Sequence, residues 1–190
     1  MKKRKLLIVI VSLLLLGGVS YAAFGDRVEV LGTSVTVGSA DIKLLDDLAG
    51  GVSSGNLVDS KQGPSFEKIS PGWVADYPLK VFNNGTSVLK LSSVANYETA
   101  EDPEELRQII FVEPFVWLDA NGDGVSEEGE LGQSFGKKTI VKWKTEGYIL
   151  GDIASGGLTS YVLRFSAETI PDSKQGAAGV FSFEIDASEI

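Results

Sequence analysis

Tyr161-Val162-Leu163-Arg164-Phe165-Ser166 and Val180-Phe181-Ser182-Phe183-Glu184-Ile185-Asp186 are the stretches on which the fold class turns. In the first, Tyr161, Leu163 and Phe165 share one face. In the second, Phe181, Phe183 and Ile185 face one way while Ser182, Glu184 and Asp186 face the other. Alternation with period two is the mark of a strand half-buried against a core. Thr139–Lys144 alternates in the same way, Val141 and Trp143 against Lys142 and Lys144, and reads as a further strand. Pro78–Phe82 and Ser87–Val94 flank Asn83-Asn84-Gly85-Thr86, whose Asn-Gly step predicts a hairpin. Ile109–Leu118 is another apolar strand, in which Pro114 signals an edge or a bulge. One short helix is expected from Asp102 to about Gln108. Asp102 serves as its N-cap, Pro103 is its first residue, and Glu104 and Glu105 meet the positive end of the dipole. Ala49–Ser65, rich in Gly and Ser, reads as a long loop. Short strands with turn punctuation around one core predict an all-β fold, an antiparallel β-sandwich with one short helix and long loops.

The chain has 190 residues, enough for one core with an appendage. It contains no cysteine, which excludes disulfides, thiolate metal sites and a cysteine nucleophile. It contains no histidine, which excludes a Ser-His-Asp triad, an HExxH zinc protease and any imidazole ligand. No other catalytic constellation is visible, so the sequence reads as that of a non-enzyme. Trp73, Trp117 and Trp143 read as core or hydrophobic-edge residues, and Asp46-Asp47 and Glu101-Asp102 as solvated turn acids.

Residues 1–22 read as a secretory signal peptide. Lys2, Lys3, Arg4 and Lys5 form its positive start, and Leu6–Leu16 is an apolar run broken only by Ser12. Gly17 and Gly18 follow, and Ser20-Tyr21-Ala22 places small residues for cleavage between Ala22 and Ala23. The apolar run is short of the roughly 20 residues that span a bilayer. The chain is therefore expected to be secreted, meeting a membrane only during export. The full chain carries 17 basic and 26 acidic residues; losing the four basic residues of the signal leaves 13 against 26, a net charge of −13. Such a surface repels phosphate backbones, which argues against nucleic acid as a partner. Residues 23–190 then form a single sandwich domain.

Three segments carry a family resemblance. The first is Phe24-Gly25-Asp26 followed by Gly32-Thr33-Ser34-Val35-Thr36-Val37-Gly38-Ser39-Ala40-Asp41-Ile42-Lys43-Leu44. The second is Ser70-Pro71-Gly72 with Val81-Phe82-Asn83-Asn84-Gly85-Thr86, and the third is Asp172-Ser173-Lys174-Gln175-Gly176 leading into Phe181 and Phe183. In this order they resemble the start, middle and end of the TasA/camelysin family. The sequence departs from that pattern at Ser34, at Ala40 and in the long loop before Ser70. The resemblance implies a jelly-roll-like sandwich, processing by a SipW-like signal peptidase, and assembly into extracellular fibres of a biofilm matrix. Partners would be further copies of the chain and other matrix proteins. Camelysins are also described as metalloproteases, but this sequence lacks the usual zinc ligands.

Asp119-Ala120-Asn121-Gly122-Asp123-Gly124-Val125-Ser126-Glu127-Glu128-Gly129-Glu130 follows the calcium-loop pattern D-x-[DN]-x-[DN]-G-x₅-E. Asp119, Asn121 and Asp123 occupy its first, third and fifth positions. The Val125 carbonyl, Glu127 and Glu130 complete an oxygen shell suited to a structural Ca²⁺. The flanks are strand-like rather than helical, and Ser126 stands where an apolar residue is usual. The same residues also make an Asx- and Gly-rich turn whose acids are simply solvated.

At the other end of the mature chain, Phe24, Val28 and Val30 share one face of an extended segment, with Asp26 interrupting it. Residues 23–31 are therefore a candidate donor strand that completes the sheet of a neighbouring copy, with Phe24, Val28 and Val30 at the subunit interface. The expected function is a secreted structural subunit of an extracellular fibre, joined by donor-strand complementation. The alternative is a monomeric cell-surface module, a calcium-dependent adhesin or a carbohydrate-binding sandwich. Protein recovered from the medium is expected to begin at Ala23 by intact-mass measurement. A membrane-retained chain that keeps Met1 or Lys2 would instead be a tethered protein.

Overall fold

The longest ladder of the molecule is built by the run that opens with Leu158. In the computed structural model, which describes residues 25–30, 40–64, 69–174, 177 and 179–190, this run is one of twelve strands. In chain order they begin with β1 (Gly25–Val30), β2 (Ile42–Leu45), β3 (Leu57–Val58), β4 (Ser60–Lys61), β5 (Trp73–Asn83) and β6 (Leu89–Asn96). They continue with β7 (Phe111–Trp117), β8 (Leu131–Ser134), β9 (Lys138–Thr139), β10 (Tyr148–Ile153), β11 (Leu158–Ala167) and β12 (Ser182–Glu189). The signal segment, the cleavage pair Ala22 and Ala23, and Phe24 lie outside the described residues.

The strands form two sheets. One runs β3-β2-β5-β11-β7-β8, with β9 also on β7; the other runs β10-β6-β12-β1-β4. In the first, β11 pairs antiparallel with β5 from Leu158 opposite Phe82 to Ala167 opposite Trp73, and on its other side with β7. In the second, β12 lies between β6 and β1, antiparallel to both. The chain forms an all-β antiparallel sandwich. It is jelly-roll-like in that its first and last strands are neighbours and the chain crosses repeatedly between the sheets.

Alternation explains the core. Tyr161, Leu163 and Phe165 are buried together, as their spacing predicts, and meet Phe183 and Ile185 of the facing sheet. Trp143 stacks on Phe183 with ring centroids 4.5 Å apart, and Tyr148 packs edge-on against Trp143. The Tyr148 hydroxyl reaches the carbonyls of Val112 and Gly136, and burial pushes its pKa well above the ordinary tyrosine value. Pro114 lies where β7 changes partner from β9 to β8. Its carbonyl accepts from Phe135 N (2.9 Å), and no strand on that side asks for the donor that proline lacks.

Five readings of the sequence are corrected. Residues 140–144 do not extend a strand: α1 (Ile140–Glu146) is the one α-helix among the described residues. Thr139 caps it, its side chain accepting from Lys142 N, and Gly147 ends it at φ 63°. Ile140 and Trp143, three apart, are its fully buried residues, so the period is helical. The segment after Asp102 makes only one short 3₁₀ turn, Leu106–Gln108, because Glu105 takes a left-handed backbone (φ 56°); another, Thr99–Glu101, precedes Asp102. Asp102 does cap, accepting from Leu106 N (2.7 Å) and Arg107 N (3.2 Å). It is fully buried rather than solvated, and its carboxylate pairs with Arg107. The stretch 49–65 is not all loop, since it carries β3 and β4.

The fifth correction concerns Asn83-Asn84-Gly85-Thr86. This segment turns the chain, but β5 and β6 belong to different sheets, so it is a crossing and not a hairpin. Asn83 is 0% exposed and holds the corner together. Its Nδ2 donates to the carbonyls of Ser87 (2.8 Å) and Ile153 (3.2 Å), and its Oδ1 accepts from Gly85 N (2.9 Å). Its own backbone exchanges bonds with Gly156 and Gly157 in the β10–β11 turn. Asn83→Ala is expected to cost about 3 kcal/mol, since three side-chain bonds go and buried carbonyls lose their donor. Asn83→Asp, which turns donors into an acceptor facing carbonyls, is expected to cost more. Urea denaturation reads both, and a loss for Asn83→Ala below about 1 kcal/mol would remove this residue from the role of corner post.

Candidate functional site

Two regions carry the functional expectations, the loop between β7 and β8 and the strand β1. The loop begins at Leu118, whose N–H donates to Glu130 O (3.0 Å), so its two ends are stitched together. Asp119 takes a left-handed backbone (φ 37°), and Gly122 N returns to Asp119 O (3.2 Å) to close the first turn. Gly124 is also left-handed (φ 75°). A Cβ placed there would lie 2.6 Å from Ala49 N and 2.9 Å from Leu48 C. The loop therefore rests on the backbone of residues 48–49, and only glycine permits that approach.

The expected metal ligands divide into two groups. Asp119 and Glu130 point into the protein. Asp119 Oδ2 pairs with Lys80 Nζ, and Asp119 Oδ1 accepts from Gly124 N (3.4 Å). Glu130 is buried, Oε2 accepting from Trp117 Nε1 (3.0 Å) and Oε1 from Ala120 N (2.9 Å). Asn121 and Asp123 are exposed and serve the loop itself. Asn121 Oδ1 accepts from Asp123 N (3.0 Å), Asp123 Oδ1 from Val125 N (2.8 Å), and Asn121 Nδ2 donates to Asp123 Oδ2 (3.0 Å). Val125 and Glu127 are exposed. Among the described residues no three acidic side chains converge as a metal shell would require. The six positions share one loop, in which Asp119 and Glu130 are committed to partners inside the protein and Asn121 and Asp123 to bonds within the loop.

The residue that sequence reasoning missed is Lys80. It lies in β5 between the buried Leu79 and Val81, so alternation turns it to the outer face of the sheet. There Nζ meets Asp119, donates to Leu48 O (2.6 Å) and sits 5.0 Å from the centre of the Trp117 ring. Nothing local marks it; the one available signal was a lysine at the centre of the otherwise apolar run Pro78–Phe82.

The strand β1 pairs antiparallel with β12 from Gly25 opposite Ser188 to Val30 opposite Phe183. This places Val28 opposite Ile185. Its outer neighbour β4 is parallel and meets it only at Glu29–Ser60 and Val30–Lys61. Lys61 fastens β4 to the end of β2, donating to the carbonyls of Leu45 (2.8 Å) and Asp46 (2.6 Å), and burial lowers its pKa below the ordinary lysine value.

No family model matches the chain, and no curated protein does. Among solved structures it is similar to the ASH/PapD-like domain of human CEP192 (PapD-like domain 7). Identity is 15%, over 73% of this chain and 70% of that one, with a TM-score of 0.31. So distant a likeness carries no functional argument. Among the described residues no helix is long and apolar enough to cross a membrane.

Gly124→Ala is expected to lower stability by about 1–3 kcal/mol, the cost of a left-handed non-glycine residue plus a displaced contact. Hydrogen exchange should then rise at residues 47–51 as well as in the loop. Exchange confined to residues 119–130 would show that the two segments do not depend on each other.

Proposed function

We propose that the chain is a secreted structural subunit that polymerises into an extracellular fibre by passing β1 from one copy to the next. The observation that carries this reading is the pairing of β1, which rests on one long partner, β12, and on two residues of β4. Withdrawing it opens the N–H and C=O row of β12 between Phe183 and Ser188 without disturbing the β12–β6 ladder. The same segment of a second copy can enter in the same register and restore an identical set of backbone bonds, with Val28 and Val30 again opposite Ile185 and Phe183. Each copy gives one strand and takes one. Such a contact is heterologous and does not close, so it propagates as a filament.

Processing would govern the exchange. Until cleavage after Ala22, β1 is tethered to the export signal and is not free to leave; afterwards only Ala23 and Phe24 precede it. The net charge of −13 expected after cleavage keeps copies soluble and disfavours unspecific contact.

The test compares residues 23–190 with a chain beginning at Gly32, by electron microscopy and sedimentation. The longer chain should form filaments. The shorter should remain a folded monomer and bind a peptide of residues 23–31 one to one, with Val28→Asp in the peptide weakening binding at least about tenfold, or 1.4 kcal/mol. A shortened chain that still polymerises, or that unfolds outright, would place β1 permanently in its own domain and end this reading.

A further inference from the structure

We infer that the ammonium of Lys80 is the resident cation of the 119–130 loop, so that this corner closes without a divalent ion. A loop of the pattern Asp119-x-Asn121-x-Asp123-Gly124 gathers negative charge and calls for a positive partner. In this fold the partner comes from β5, 39 positions earlier in the chain than Asp119. The side chains of Lys80 and Asp119 are 10% and 6% exposed, so the pair is largely withdrawn from water. A buried ammonium is tolerable only when it is paired and hydrogen-bonded. Here it has a carboxylate, the Leu48 carbonyl and the face of Trp117.

The second buried carboxylate of the corner needs no metal either. Glu130 has an N–H donor on each oxygen, the indole of Trp117 and the amide of Ala120. Trp117 thus joins the two acids, its edge serving Glu130 and its face serving Lys80. For Ca²⁺ to bind in the loop, Lys80 would have to be expelled, Glu130 would have to give up two donors, and Asn121 and Asp123 would have to turn inward from the surface. The loop has the spacing of a calcium site, while the charge of its first carboxylate, Asp119, is met by an internal side chain. This inference does not depend on the proposed fibre.

The experiment uses the secreted chain 23–190 and its Lys80→Met variant, which keeps the length of the side chain and removes the charge. The wild type is expected to melt within about 1 °C of the same temperature in about 5 mM CaCl2 and in EGTA, because an ion that does not bind the native state cannot stabilise it. It should also give no saturable terbium luminescence through Trp117. In EGTA, Lys80→Met is expected to melt at least about 5 °C lower, with Asp119 left buried and unpaired. Adding Asp119→Asn to Lys80→Met should recover part of that loss. A wild type that melts higher with Ca²⁺, or binds terbium saturably and yields it to Ca²⁺, overturns the inference. So does a Lys80→Met chain that melts in EGTA where the wild type does. The wild-type measurements decide the matter even where Lys80→Met fails to fold.

Discussion

A β-sandwich must carry its chain from one sheet to the other, and at each crossing backbone groups leave one ladder before they reach the next. A buried crossing has to satisfy them by other means. Here the crossing between β5 and β6 is met by one side chain. Asn83 can donate twice and accept at once, and it does so toward Ser87, Ile153 and Gly85. Its backbone binds the Gly156–Gly157 turn, and the next residue, Asn84, donates its N–H to Asp41 O (2.7 Å) ahead of β2. Three separate stretches of chain therefore meet at one end of the sandwich. The registers of β5 with β2 and β11, and of β6 with β10, all start from this corner.

The outer face of the β5–β11–β7 sheet follows a second rule. Lys80 in β5 and Trp117 in β7 project from that face and would meet water on a bare sheet. They are instead roofed by the loops at residues 46–50 and 119–124, which touch at Gly124. The roof is polar and the lysine beneath it is paired, so the sandwich gains cover on this side without a second hydrophobic layer. The opposite sheet is handled differently, with its margin left to two short segments, β1 and β4.

Much of this architecture was legible wherever a run was long enough to fix its period. Tyr161, Leu163 and Phe165, or Phe183 and Ile185, leave no doubt about which face is buried. Ile140–Lys144 is too short for that. Val141 and Trp143 alternate with lysines, yet Ile140 and Trp143 also fit one helical face, and the Thr139 cap with Gly147 decides in favour of the helix. Turn chemistry told where the chain bends and not which sheet it enters next, so Asn84-Gly85 located a corner but suggested the wrong partner strand. The loop at Asp119 showed its acids plainly. What it could not show was Lys80, because a contact across 39 positions leaves no local pattern.

The three tryptophans give the molecule a built-in optical map. Trp143 is enclosed between the sheets and stacked on Phe183, so its emission is that of an indole in an apolar interior. Trp117 lies beneath an ammonium and donates to a carboxylate, an environment of strong local field. Trp73, at the start of β5, is only partly covered and remains open to soluble quenchers. Substituting any two by phenylalanine would leave one reporter, for the core, the roofed corner or the rim. The order in which these signals change on heating would reveal whether the corner opens before the sandwich comes apart.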